Sequence, residues 1–194
     1  MDLDIRPLTG ETWTALSALF EEGGDPSWCW CQFWRGSGFS PNRAEQRAAD
    51  RASLETQARG PLAPGLVALA PDGRAVGWVS VGPRDDYAHL ERSRVRPRLD
   101  DLPVWAILCF VVSRRARGQG VASQLLDAAV RFAREHGAPA IEAYPVDTAQ
   151  GKPTPPTLYT GTLSTFERAG FRVMRQVDSR QATVVRDIVR LDLA

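Results

Sequence analysis

The residues best suited to chemistry are Arg117-Gly118-Gln119-Gly120-Val121-Ala122. An apolar run ending in Phe110-Val111-Val112 precedes them, and Val121, Ala122, Leu125, Leu126, Ala129, Val130 and Ala133 follow at helical spacing. Strand, glycine loop and helix therefore come in that order. A helix start leaves backbone N–H groups unpaired and carries partial positive charge, and glycines let a bulky anion approach the backbone closely. The loop is suited to phosphate. A nucleoside-triphosphatase loop would need a Lys after its second glycine, and the dinucleotide fingerprint would need Gly where Ser123 stands, so neither pattern is met. The plain alternative is a strand-to-helix turn that merely uses two glycines.

A second unusual segment is Ser27-Trp28-Cys29-Trp30-Cys31-Gln32-Phe33-Trp34, with three of the six tryptophans and two of the three cysteines. Cys29-x-Cys31 offers half a zinc site, but the other nitrogen or sulfur donors are Cys109, in an apolar strand, and two distant histidines, so no metal is expected. Cys109 itself reads as core and not as a nucleophile. The aromatic side chains either pack between helix and sheet or line a pocket for an apolar or cationic ligand. Arg43, Arg47 and Arg51 recur at i,i+4 and read as a solvated stripe.

These residues need elements to position them. Asp4–Leu8 reads as a strand. Thr9 caps a helix carrying Trp13, Leu16, Leu19 and Phe20, which Gly23-Gly24 ends. Ser40-Pro41 starts a second helix reaching about Arg59, with Glu55 and Arg59 placed to pair. Leu66–Leu69 and Ala75–Val81 flank the turn Pro71-Asp72-Gly73-Arg74 and predict a hairpin. Pro83–Pro103, where arginines alternate with acids, reads as an excursion over the surface. After the central strand, loop and helix to Gly137 come a strand at Ala140–Tyr144 and a stiff connector, Lys152–Pro156. A short helix bearing Leu163, Phe166 and Ala169 follows, then strands at Phe171–Val173 and Thr183–Leu191.

With 194 residues, 43% hydrophobic, the chain is expected to form one α/β domain over 1–194. A formal charge of +1 gives no global field to attract nucleic acid or a membrane, and the arginines at 92–98 are interleaved with acids. The sparse, odd cysteine set argues against a disulfide framework, and MDLDIRPL lacks the features of a signal peptide, so a cytoplasmic protein is expected; the final strands could pair across a dimer, which leaves monomer or homodimer.

Arg117, Gly120 and Ala122 match the Arg/Gln-x-x-Gly-x-Gly/Ala signature of the GNAT acetyltransferase superfamily, which this sequence resembles. Phe166-Glu167-Arg168-Ala169-Gly170-Phe171 resembles the family's second motif, usually Tyr-Glu-x-x-Gly-Phe. The resemblance implies a mixed, mostly antiparallel sheet flanked by helices, with acetyl-CoA in the opening between splayed fourth and fifth strands, here Ala106–Val112 and Ala140–Tyr144. It further implies that the backbone of Phe110 and Val112 pairs with the pantetheine arm and that Arg117, Gly118, Gln119, Gly120, Val121 and Ala122 bind pyrophosphate. An acetyl group would pass to the amine of a small molecule or peptide. Trp28, Trp30 and Trp34 would fall in the region lining the acceptor site.

The sequence departs from the family where Phe166 replaces the usual tyrosine acid. Tyr159, seven residues earlier and on the same face if the helix extends that far, is the substitute candidate, or else a half-buried structural tyrosine. No acid lies in Val104–Val112. Glu142 on the fifth strand is then the candidate base, with Asp147 and His89 behind it, or else an outward surface carboxylate. These departures also suit a different class, a catalytically silent CoA-binding sensor or interaction protein.

Overall fold

A computed structural model describes residues 2–22, 27–36, 41–149, 154–176 and 186–193. Its seven strands are β1 (Asp4–Pro7), β2 (Gly65–Leu69), β3 (Ala75–Pro83), β4 (Trp105–Val112), β5 (Ala140–Ala143), β6 (Arg172–Arg175) and β7 (Ile188–Asp192). They form one sheet in the order β1-β2-β3-β4-β5-β7-β6, antiparallel throughout except for the β4–β5 pair. The helices are α1 (Trp13–Glu21), α2 (Arg43–Gln57), α3 (Ala88–Glu91), α4 (Val121–Glu135) and α5 (Leu163–Arg168). The Gly23-Gly24 stop, Ser40, Lys152-Pro153 and the Thr183–Val185 start of the last strand lie outside the described residues.

Alternation along the strands divides the core between the two faces of the sheet. Ile107 and Phe110 of β4 pack with Val121, Leu125, Ala129 and Phe132 of α4 and with Phe166 of α5. Trp78 and Cys109 face the other way, against Leu16 and Phe20 of α1, Leu54 of α2, and Trp30. The apolar stripe of α4 is the one its spacing predicts, with Ala122 and Val130 half-buried at its margin. Gly137, at φ 74°, closes α4.

The helix starts differ from expectation. Thr12, not Thr9, stands before α1, and its hydroxyl accepts the Thr9 N–H and donates to the Pro7 carbonyl. Asn42 caps α2 by accepting the Glu45 N–H, leaving Pro41 outside the helix. The Glu55–Arg59 pair forms at 2.7 Å.

The largest correction concerns the stretch between β3 and β4, which is anchored in the core. Arg84 is 1% exposed, and Tyr87 and Leu90 are fully buried. A surface excursion has no use for a buried guanidinium; this one is held by partners from several elements.

Candidate active site

Two local features open the sheet between its parallel strands. β4 and β5 pair only at Trp105↔Ile141, Ala106↔Glu142 and Ile107↔Ala143. Immediately beyond, β4 bulges against β3: Ser80 opposes Cys109 and Val81 opposes Ile107, leaving Leu108 as the extra residue. A bulge bends its strand and sharpens the twist, so β4 turns from β5 where their pairing ends. β5 continues through Val146, which bridges to Thr162 and to Arg186 instead of to β4. The Val146 N–H donates to the Gly161 carbonyl, and the Leu163 N–H donates to the Val146 carbonyl. Leu108–Val112 thus has no strand partner on the β5 side among the described residues.

The glycine loop sits at the end of this opening. Arg114–Ala116 forms a 3-10 turn, Arg117 is extended, and Gly118 and Gly120 take φ of 74° and 78°. A side chain at either glycine would meet nothing within 4 Å, so it is the left-handed backbone, and not crowding, that calls for glycine. No side chain caps α4, and its first turn holds no acid, so the N–H groups at its start face outward unclaimed. Arg114, Arg115 and Arg117 are exposed around them. Arg117 Nε donates to the Val112 carbonyl at 3.4 Å and Gln119 Nε2 to the Arg115 carbonyl at 2.9 Å, bracing the loop. This arrangement fits a diphosphate: unpaired amides, a helix dipole and glycine backbone, with three exposed arginines in the same loop.

Phe166 is fully buried, edge-on to Phe110 at 6.2 Å and to Phe171 at 5.1 Å. Tyr159 does not share its face. α5 begins only at Leu163, and Tyr159 belongs to a separate 3-10 turn, Pro155–Thr160, ended by Gly161 at φ 80°. That break sends Tyr159 to the α1 and α2 side of the sheet, against the cluster containing Cys109. Its hydroxyl makes no hydrogen bond among the described residues, and burial pushes its pKa up against the opposing pull of Arg186 and Arg96.

Glu142 is not an outward carboxylate but a buried one, enclosed by donors. It is 1% exposed, accepts from Arg190 Nε at 3.1 Å and Nη2 at 2.7 Å, and pairs with Arg84 Nη1 at 3.2 Å. Tyr144 also donates to it at 3.2 Å. Arg84 further donates to Glu91 (2.8 Å), to the Tyr144 hydroxyl and to the Arg96 carbonyl (2.8 Å). Asp100 takes the outer side of Arg190 at 2.6 and 3.0 Å. Both carboxylate oxygens are taken up by these donors, and Glu142 ties β5 to β7 and to the β3–β4 connection. Asp147 accepts the Ala149 N–H, and His89 packs on Phe33 and Trp34 with its pKa lowered by burial and by Arg92 and Arg96.

The three tryptophans part company. Trp30 is core: 1% exposed, stacked on Phe20 at 4.9 Å and on Trp13 at 5.8 Å. This packing holds Trp30 and Cys31 at φ of 45° and 54°, left-handed conformations that cost non-glycine residues about 1 kcal/mol or more each. Trp28 is half-buried with Arg43 5.1 Å over its ring, and Arg51 lies 5.5 Å from both Trp13 and Trp30. The arginine stripe of α2 therefore covers aromatic surface in part. Trp34 is buried, with the Arg96 guanidinium 4.8 Å over its ring. Cys29, Cys31 and Cys109 are free and buried; burial pushes the Cys29 thiol up to about 12 and Cys109 upward too, which withholds thiolate. Among the described residues no group of three His, Cys, Asp or Glu could hold a metal ion, and no helix is long and apolar enough to cross a membrane.

Asp50 of α2 has a buried carboxylate oxygen without a hydrogen-bond partner, and burial raises its pKa to about 6. The folded state thus holds this proton more tightly than the unfolded chain. Stability from it is present below about pH 4 and is lost as pH rises through 6. Asp50→Asn should raise the melting temperature by roughly 2–4 °C at pH 7.5, about 1 kcal/mol once solvent screening is allowed for, and converge with wild type near pH 4. Thermal melts at the two pH values check this.

Missed at the level of sequence were the bulge, Arg84 and Arg190 around Glu142, Arg186 over Tyr159, and Arg96 over Trp34 and Tyr144. Arg96 was visible only as one of a run of surface arginines.

A mixed sheet opened between its two parallel strands, with an uncapped helix and glycine loop at the opening, is a GNAT-type α/β architecture. Residues 28–151 match the Acetyltransferase (GNAT) family, and the chain belongs to it. Its fold is shared with the histone acetyltransferase HPA2 and related acetyltransferase from Corynebacterium glutamicum (20% identity, 100% of this chain and 98% of that one, TM-score 0.63). It is shared also with a GCN5-related N-acetyltransferase from Kribbella flavida (19%, 98% of each, 0.58). A third similar structure is a phosphinothricin acetyltransferase from Sinorhizobium meliloti in complex with AcCoA (16%, 100% and 90%, 0.54). No curated protein matches the sequence significantly.

Proposed function

We propose that this chain is an acetyl-CoA-dependent N-acetyltransferase acting on the amine of a small molecule or peptide. The observation that carries this reading is the uncapped start of α4 behind Gly118 and Gly120, next to the strand edge Leu108–Val112. Amides at the start of α4 suit the pyrophosphate, and backbone groups of Phe110 and Val112 suit the amide-bearing pantetheine arm. Acetyl-CoA, when bound, supplies an acetyl group activated as a thioester.

The acceptor nitrogen must arrive neutral. Arg96 and Arg186 beside Tyr159 disfavour a nearby ammonium, which lowers an amine's pKa without a dedicated base. As nitrogen bonds to the acetyl carbon and the carbon–sulfur bond breaks, nitrogen releases one proton to water. Tyr159, kept protonated by burial, gives its phenolic proton toward the departing sulfur and regains it from solvent. Tyr159→Phe is expected to lower kcat about tenfold to a hundredfold while leaving acetyl-CoA affinity unchanged. Unchanged kcat would remove Tyr159 from this role.

The test of the activity is free-thiol release from acetyl-CoA over amines of differing charge. Release that depends on both partners supports transfer. Phe166, with no proton to give, favours the second reading, a silent CoA-binding protein; binding without release from any amine would select it.

A further inference from the structure

The cations around the opening are of two kinds. Arg84, Arg98 and Arg190 are matched by Glu91, Glu142, Asp85 and Asp100. Arg96 and Arg186 are not: neither has an ion pair with a carboxylate among the described residues. Arg96 is the more telling. Its guanidinium lies 4.8 Å over the Trp34 ring and 5.8 Å from the Tyr144 ring, yet donates no hydrogen bond among the described residues. Its Nε is fully buried without a partner. A buried N–H without a partner on a fixed cation is costly to maintain, and the Nη donors meet no protein acceptor among the described residues. The position is nonetheless built. The Arg96 carbonyl is fastened by Arg84 Nη2, and Arg84 in turn by Glu91 and Glu142.

Arg186 comes from the far end of the chain to the same place. Its Nη1 donates to Thr160 Oγ1 at 2.9 Å and its Nη2 to the Thr157 carbonyl at 3.0 Å, laying the guanidinium 5.2 Å over the Tyr159 ring. Arg186 bridges to Val146, two residues beyond the Tyr144 whose ring Arg96 covers, and the two guanidiniums repel each other. Burial and mutual repulsion lower the pKa of Arg96, so an anion between the two would relieve an unfavourable arrangement.

We propose that the acceptor carries a small oxyanion, a carboxylate or phosphonate a few bonds from its amine, and that Arg96 and Arg186 hold it beside Tyr159. This rests on the acetyltransferase reading and narrows it to amino acids and their phosphonate analogues. A planar guanidinium on aromatic platforms suits bidentate capture of such a group. Polycationic amines would meet two like charges and be excluded.

The test is calorimetric titration of the CoA-saturated protein with L-leucine, L-methionine and L-phenylalanine, each against its amide, and with two 1-aminoalkylphosphonates. At least one oxyanion is expected to bind roughly tenfold or more tighter than the matched amide. Arg96→Gln, which keeps a stacked planar side chain, should erase that preference, and Arg96→Lys should restore part of it. Equal binding of acids and amides, no binding of any oxyanion, or an unaltered preference in Arg96→Gln would overturn the proposal. Thiol release measured on the same compounds separates the two readings. Oxyanion preference without release refutes transfer and leaves the anion site standing; release favouring amides or polyamines does the reverse.

Discussion

Replacing Gly120 by Asp should lower the affinity for acetyl-CoA at least about a hundredfold and leave the fold in place. Gly120 stands at the start of α4 with φ of 78° and open space where a Cβ would go, so an aspartate meets no clash. Asp is among the residues that visit left-handed backbone at modest cost, and a carboxylate at a helix N-terminus favours the helix. What changes is the site. The new carboxylate competes for N–H groups at the start of α4 and sets a negative charge where a diphosphate must sit. At about 4 Å and an effective dielectric near 20, each like-charge contact costs on the order of 4 kcal/mol before salt screening, more than the roughly 3 kcal/mol of a hundredfold loss. Calorimetry and a thermal melt on one preparation check this. A melt within a few degrees of wild type with affinity changed only a few-fold would mean that the phosphates lie elsewhere.

The second large effect is one of stability. Glu142→Ala leaves Arg84, 1% exposed, and Arg190, 7% exposed, without the carboxylate that lies between them. Arg84 keeps Glu91 and Arg190 keeps Asp100, but each loses the carboxylate it meets in the interior, and removing one partner of a buried ion pair costs about 3–5 kcal/mol. For a chain of this size that is a fall of roughly 6–20 °C in melting temperature. The loss should spread to the site, since Arg84 also fastens the Arg96 carbonyl. Were Glu142 a general base instead, the variant would melt like wild type and fail only in turnover. Thermal denaturation with kinetics distinguishes the two.

These variants also mark how far the sequence could be read. The glycine loop and the stripe of α4 were legible because their signals are local: positive-φ glycines, and apolar residues recurring within one helix. Strands β2 to β5 followed from runs bounded by turn residues. The two motifs and their order led to the family. Glu142 was misread because its partners lie 58 and 48 residues away, in segments that alone look like an ordinary turn and an ordinary strand. Residues 83–103 resembled a solvated loop because their charges alternate. Yet one of those arginines, Arg84, is buried against Glu142, and alternation does not reveal which charge a fold will bury. Tyr159 was sought on the face of Phe166 by counting helical turns; Gly161 interrupts the count and turns it to the other side of the sheet. Trp30 and Trp34, four residues apart, separate into core and platform through left-handed backbone at Trp30 and Cys31 that no propensity announces.

An acetyl-CoA-dependent transferase of this fold must receive the phosphates at the start of α4. That requirement is tested most directly by titrating acetyl-CoA and S-acetylpantetheine, the same acyl thioester arm without its phosphates, into the protein under identical conditions. Saturable one-to-one binding of acetyl-CoA, with S-acetylpantetheine weaker by about two orders of magnitude or more, is the result this account predicts. Equal affinity for the two, or no binding of acetyl-CoA, would contradict it.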